Sequence, residues 1–286
     1  MSSETMKIYI LPVDELPKPK IRPWPVHSTG FTMEIDFLNF LKQSNLLTDS
    51  SSKADWHYLP INWTFWLLAN DYGRANRDLM QASIDNLVID ANKTFTVTEA
   101  GLTPANFNVG KMVIFSANQQ TKGEIPIPLL SRRHRLPREY PDVRYLSSFV
   151  GSIKHWPMRR EMNEVLKDRD DVLIVERKTG EEFFVNSILS SSSVLCPRGS
   201  ADSSYRFYEA MQLGRVPIMI NEVDFRPFPD HIHWDSCSYY VDSPSKLPAL
   251  LDSLDKKELL HKGANAKEVW YSLVSYGWCD MLLDCL

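Results

Sequence analysis

Short apolar runs along this chain alternate with longer stretches in which apolar positions recur every three or four residues. Residues 6–12 alternate as a strand does, and residues 32–43 set Met33, Phe37, Phe40 and Leu41 on one helical stripe. Residues 56–60 predict a strand, 72–89 a helix, and 94–98 and 112–116 two more strands. A second series begins with a strand at 145–150, a helix at 158–166 and a strand at 172–176. It continues with a helix at 181–190, a short strand at 193–196, a helix and strand within 195–220, a strand at 239–241 and a helix at 246–254. Residues 256–286 predict one or two amphipathic helices. Strands and helices in this alternation form parallel sheets covered on both faces. The expected fold is therefore α/β, with two Rossmann-like domains facing across a cleft and ligands at the C-terminal ends of the strands.

The two series are separated by residues 121–142, which carry Pro126, Pro128, Pro137, Pro141 and the basic cluster Arg132-Arg133-His134-Arg135. Proline at this density breaks regular elements, and a short charge run reads as solvated chain. The expected organisation is an N-terminal domain at 1–130, a linker at 131–143, a C-terminal domain at 144–258 and C-terminal helices at 259–286 that pack back on the first domain.

Residues 195–220 concentrate the chemistry. Gly199, Ser200, Asp202 and Ser203 make a small polar loop with several possible N-caps, and Gly214 suits a helix C′ position. Val216 to Ile220 is an apolar run fit for a buried strand. Arg198 precedes the helix and Arg206 lies inside its first turns. Asp202, Arg206 and Glu209 share one predicted face, while Phe207, Ala210 and Met211 share another. A helix N-terminus offers free N–H groups and a positive dipole end, so this arrangement suits a phosphate-bearing ligand.

Composition narrows the classes. The chain has 286 residues, 43% hydrophobic and 24% charged, which is globular rather than disordered. A net charge of −4 without a long basic block argues against non-specific nucleic-acid binding. Cys196, Cys237, Cys279 and Cys285 form no Cys-x-x-Cys pair, so free thiols in a reducing compartment are expected rather than a zinc site or a disulfide framework. The start Met1-Ser2-Ser3-Glu4 is unlike a signal peptide and no run is long enough for a membrane span, so the expected location is cytoplasmic. The sequons at Asn62 and Asn92 are then read as chance. No Gly-x-Gly-x-x-Gly follows the first strand, which sets a dinucleotide oxidoreductase aside.

The run Pro197-Arg198-Gly199, Ser204-Tyr205-Arg206-Phe207-Tyr208-Glu209-Ala210, Gly214-Arg215-Val216-Pro217-Ile218 resembles the C-terminal signature of exostosin-type glycosyltransferases. Weaker pieces follow the family's order. They are Phe31, Glu34 and Phe37 with Ala54-Asp55, then His57-Tyr58-Leu59-Pro60, Lys122 to Pro128, Phe149-Val150-Gly151 with Arg159, and Pro227-Phe228 with Trp234. The resemblance implies an inverting transferase of GT-B type that moves a sugar from a UDP-sugar to a hydroxyl of a glycan acceptor. It gives the first domain to the acceptor and the second to the nucleotide sugar. The length of the chain and the lack of an anchor resemble the soluble exostosin-like enzymes of large algal DNA viruses. That closer likeness implies UDP-xylose as donor and viral glycan synthesis in a host cytoplasm, with galactose and glucuronic acid as the other donor sugars.

The leaving diphosphate needs positive charge. Asp168-Arg169-Asp170 superficially matches an Asp-x-Asp metal motif but reads as a polar turn, so no metal and no cofactor are expected. The expected nucleotide-sugar residues are Arg159, Arg198, Gly199, Ser200, Ser203, Ser204, Tyr205, Arg206 and Glu209, with arginines as phosphate ligands. The resemblance gives Glu209 the ribose hydroxyls. For the catalytic base, Asp71 is placed first as a residue opening a helix, and Glu99 second, at the end of a strand; His27 is a third option. Trp24, Trp63 and Trp66 could stack on acceptor sugars, with His27, Trp63 and Trp66 taken as the acceptor site. A non-catalytic glycan-binding or partner subunit of the same fold is the competing reading. It would fail to release UDP from a UDP-sugar.

Overall fold

The computed structural model describes residues 6–13, 33–71, 73–99, 106–118, 123–131, 133–154, 156–176, 180–199 and 201–286. The chain divides into two compact units, Met1–Ile127 with Leu282–Leu286, and Pro128–Met281.

The first unit holds a parallel sheet of β1 (Ile8–Ile10), β2 (Trp56–Tyr58), β3 (Thr94–Thr98), β4 (Val113–Ser116) and β5 (Ile125–Pro126), in that spatial order. An isolated parallel bridge joins Ile8 to Leu47. Since Ile8 also pairs with Trp56, the Leu47 segment lies on the outer side of β1. With that segment counted second in chain order, the strands run 2-1-3-4-5-6, a doubly wound sheet. Its helices are α1 (Met33–Gln43), α2 (Trp63–Ala69) and α3 (Arg77–Leu87). Phe37 of α1 meets Tyr58 and Phe95 edge-on at 5.1 and 5.8 Å. A second cluster joins Leu59, Trp63, Trp66, Met80, Ile84 and Ile114. The all-buried pattern of β3 follows from its central place, covered from both sides.

The second unit holds β6 (Tyr145–Val150), β7 (Val172–Val175), β8 (Ser191–Pro197), β9 (Val216–Ile220) and β10 (Tyr239–Val241), in the spatial order β10-β9-β8-β6-β7, all parallel. Counted within the unit, this is 2-1-3-4-5, with the same reversal beside its first strand. The helices α4 (Pro157–Leu166) and α7 (Leu247–Ser253) cover one face, with Met162, Leu166, Leu247 and Leu251 packed on Phe149, Leu195 and Ile218. The helices α5 (Glu181–Leu189), α6 (Tyr205–Gln212) and α8 (Lys256–Ser272) contact the strands through other residues, and α9 (Trp278–Leu283) ends the chain. Gly214 follows α6 with φ 68, the left-handed C′ conformation. A Cβ on Gly263 of α8 would lie 2.5 Å from the Gly214 carbonyl oxygen, so this pair of glycines sets how closely α8 approaches the α6–β9 turn.

Two expectations change. Residues 63–69, an aromatic and apolar segment given no element in the sequence pattern, form α2, whose Asn62 side chain caps Phe65 N–H at 3.0 Å. The 131–143 segment is not solvated throughout: Ser131 and His134 are buried, and Arg133 stacks on Trp270 at 5.5 Å.

Candidate functional site

In a doubly wound sheet the crossovers leave opposite faces where the strand order reverses, and a crevice opens there at the C-terminal edge. In the second unit that point lies between β6 and β8. The chain leaves β6 at Val150-Gly151 and leaves β8 at Arg198-Gly199, so both exits carry a glycine. A Cβ on Gly151 would sit 2.9 Å from Arg206 Nη2, and a Cβ on Gly199 would sit 2.9 Å from Arg159 Nη2. The glycines leave room for two guanidinium groups.

Arg159 comes from the first turn of α4, which Pro157 starts at N1. Its Nε donates to the Arg198 carbonyl and its Nη1 to the Ser152 carbonyl, each at 3.1 Å. Arg206 comes from the first turn of α6 and donates through Nη2 to the Val150 carbonyl at 2.5 Å. The two guanidinium carbons lie 5.6 and 4.4 Å from the Phe149 ring centroid. Burial pulls Arg159 down to about 10, and the charge of Arg206 pulls the same way. Burial also lowers Arg206, against the opposing pull of Cys196 and Glu209. Among the described residues, Arg206 Nε is buried without an acceptor. Two half-buried cations held by carbonyl oxygens beside a helix N-terminus have the chemistry to receive an anion. Ser204 is the N-cap of α6 and makes no side-chain capping bond, while Tyr205 is its first residue. Ser203 lies half-buried in the loop, and Ser200 lies outside the described residues.

Arg198 and the expected charged face change roles. Arg198 pairs with Asp202 at 2.9 Å and with Glu222, beyond β9, at 3.1 Å, so its charge is already compensated by two carboxylates. Asp202 precedes α6 instead of lining it, and its backbone carbonyl accepts from Asn221. Glu209 is buried, and its Oε1 lies 3.1 Å from His134 Nε2. The stripe Asp202, Arg206 and Glu209 therefore does not form a solvent-facing charged front.

In the first unit, the candidate bases separate. Asp71 sits in the turn after α2 with φ 49, exposed, 3.9 Å from Arg74. It does not open a helix, since Asn76 is the N-cap of α3, and water rather than apolar side chains surrounds it. Glu99 follows β3 at the C-terminal edge and is buried. Its backbone N–H donates to Glu34 Oε1 at 3.2 Å, and its carbonyl accepts from Asn118 at 2.7 Å. Glu34 Oε1 also accepts from Thr64 N–H at 3.1 Å and Thr64 Oγ1 at 2.8 Å, whereas Oε2 is buried without a partner among the described residues. Burial pushes the Glu34 carboxyl up, over the lowering effect of hydrogen bonds from its own backbone, Thr64 and Glu99.

Trp63 and Trp66 belong to the core, which corrects their reading as acceptor platforms. Trp63 is fully buried with Nε1 donating to Thr96 Oγ1 at 2.8 Å, and Trp66 meets Phe107 edge-on at 5.2 Å. Neither offers a ring face to a sugar. His27 and Trp24 lie outside the described residues. In the Asp168 to Asp171 run, Arg169 pairs with Asp171 at 2.8 Å and with Asp252 at 2.6 Å. Among the described residues, no three His, Cys, Asp or Glu side chains converge as metal ligands.

Reading the sequence missed Glu34 as a site residue, although it stands in the motif of α1. A glutamate between Met33 and Phe37 on an apolar stripe was the available signal. His134 was missed because its neighbours are exposed arginines.

The Exostosin GT47 domain model matches residues 2–254. A "probable glycosyltransferase" of Arabidopsis thaliana is 28% identical over 211 residues, covering 72% of this chain and 39% of the relative. Exostosin-1 of Drosophila melanogaster is 24% identical over 123 residues, 42% of this chain and 16% of that protein. A "probable glucuronosyltransferase" of Oryza sativa subsp. japonica is 36% identical over 70 residues, 24% of this chain and 16% of that protein. The chain thus spans well under two thirds of the length of these relatives. Among solved structures, the crystal structure of TarM aligns with a TM-score of 0.42 at 13% identity, over 82% of this chain and 51% of TarM. No helix among the described residues is long and apolar enough to cross a membrane.

Proposed function

The chain belongs to the Exostosin GT47 domain family, and from that premise we propose that it is an inverting glycosyltransferase that moves a sugar from a UDP-sugar to a hydroxyl of a glycan acceptor. UDP-xylose is the proposed donor, and the route served is glycan or glycoprotein synthesis. The observation that carries the reading is the Arg159–Arg206 pair beside Phe149 at the switch point of the second sheet.

Transfer cleaves the bond between the sugar carbon and the diphosphate oxygen, and negative charge grows on UDP. Arg159, Arg206 and the α6 N-terminus would receive that charge; a diphosphate between two guanidiniums also relieves their mutual repulsion. Arginines in this role support transfer without a metal. The acceptor hydroxyl must lose a proton as it attacks the opposite face of the sugar carbon. Glu99, at the C-terminal edge of the first sheet with Glu34 behind its backbone N–H, is the proposed base in place of Asp71.

The test is UDP release from purified protein given UDP-xylose, UDP-galactose or UDP-glucuronic acid, with and without a glycan acceptor. Acceptor-stimulated release from UDP-xylose supports the reading. Release only from another UDP-sugar replaces the donor. Tight UDP binding with no release from any of them makes the protein a non-catalytic subunit.

A further inference from the structure

His134 lies in the segment between β5 and β6, and its side chain is 2% exposed. Its Nε2 is 3.1 Å from Glu209 Oε1 on α6, and its Nδ1 is 3.0 Å from Glu181 Oε1 on α5. Its backbone N–H donates to Gln212 Oε1 at 3.1 Å, and the Phe184 ring lies 5.6 Å from the imidazole. A neutral imidazole donates from one nitrogen only, and an ionised carboxylate only accepts. A ring with a carboxylate at each nitrogen is therefore satisfied as imidazolium. That cation also adds to the compensation of the buried Glu209 carboxylate, which Arg206 shares.

We propose that His134 is a positioning residue for nucleotide binding, its imidazolium fixing the plane of the Glu209 carboxylate that receives the ribose hydroxyls. The inference rests on the ribose role of Glu209 and adds to it a residue outside the family signature. One carboxylate oxygen anchored to His134 cannot rotate away when a nucleotide enters, so ribose recognition is pre-organised. Glu181 holds the far side of the ring, and the Arg135 N–H also approaches Glu181 Oε1 at 3.4 Å. The groups that face the imidazole are Glu209 from α6 and Glu181 and Phe184 from α5; Gln212 of α6 meets its backbone, Arg133 of its own segment lies over Trp270, and Arg206 acts through Glu209. Burial lowers the imidazole pKa, and the two glutamates outweigh that, so it rises from 6.5. Positioning is complete below 6.5 and is lost as pH climbs through the raised value.

The readout is the ratio of affinities for UDP and 2′,3′-dideoxy-UDP, which differ only in the ribose hydroxyls. The diphosphate titrates alike in both, so the ratio isolates ribose recognition. Wild type should favour UDP by about ten- to a hundredfold, as hydrogen bonds to a charged group do. Glu209→Gln should lose most of that preference. His134→Phe should bring it to within about threefold while leaving dideoxy-UDP affinity unchanged, and His134→Gln should keep part of it through one amide donor. In wild type the preference should fall as pH climbs through the raised imidazole value, and in His134→Gln it should stay flat. If His134→Phe does not fold, His134→Gln and the wild-type pH profile carry the test. A full preference in the His134 variants at every pH, with Glu209→Gln deficient, overturns the proposal and leaves the ribose reading standing. A full preference in Glu209→Gln overturns the ribose reading, and the proposal with it.

Discussion

Arg206 lies over the ring of Phe149, its guanidinium carbon 4.4 Å from the ring centroid. The contact crosses from the first turn of α6 to the end of β6. It holds the cation at the C-terminal edge of the sheet, with burial lowering its pKa and its Nε without an acceptor among the described residues. Stacking leaves the edge of the guanidinium for in-plane hydrogen bonds, which phosphate oxygens accept.

Arg206→Ala should weaken UDP binding by about 1.5–3 kcal/mol, the value of a charge-assisted contact. Gly151→Ala tests the same geometry from the other side, because its Cβ would fall 2.9 Å from Arg206 Nη2. It should weaken UDP binding without removing any charge. Calorimetry on both variants decides, and UDP affinity unchanged in a folded Arg206→Ala protein removes this arginine from the phosphate site.

Glu99→Gln should lower turnover by roughly 10²–10⁴ while UDP-sugar affinity stays near that of wild type. Asp71→Asn should retain most activity, since Asp71 is exposed in a turn. Steady-state kinetics of the two variants separate the residues. A loss in Asp71→Asn with an active Glu99→Gln would return the base to Asp71.

Glu34→Gln should change the pH profile of stability. The folded carboxyl sits above its ordinary 4.5, so its favourable contribution is complete below that value and is lost as pH rises through the folded pKa. Glutamine keeps an acceptor for Thr64 and Glu99 and carries no charge. Urea unfolding should find the variant more stable than wild type at pH 8, with the gap closing toward pH 4. Parallel curves for the two proteins would show that Glu34 does not carry this dependence.

Chelation should leave transfer largely intact. Arg169 already neutralises Asp171 and Asp252 beside the acidic run, and the proposed leaving-group charge falls on Arg159 and Arg206. Acceptor-stimulated UDP release is measured with EDTA and after manganese is restored. Activity that disappears and returns with manganese defeats the arginine assignment.

Periodicity alone located most elements, because burial of one local face leaves its trace in neighbouring residues. Strands at 94–98, 145–150 and 239–241 are found with their boundaries unchanged, and α6 and β9 lie where the 195–220 run places them. The short α2 escaped because Trp63 to Ala69 is mostly apolar around its circumference and shows no amphipathic period. What the pattern cannot encode is which buried groups meet. Glu34 reaches Glu99 across 65 positions and His134 reaches Glu209 across 75, through hydrogen bonds made only once both sheets are wound. The same limit governed Arg198, whose partner Glu222 lies beyond the next strand, and Trp63, whose composition suits a sugar platform until Thr96 and the core enclose it. Residue types and local spacing thus determined the α/β elements and placed a loop, helix and strand at 195–220. Strand order decided the site, because the reversal between β6 and β8 brings Gly151, Arg159, Gly199 and Arg206 to one edge.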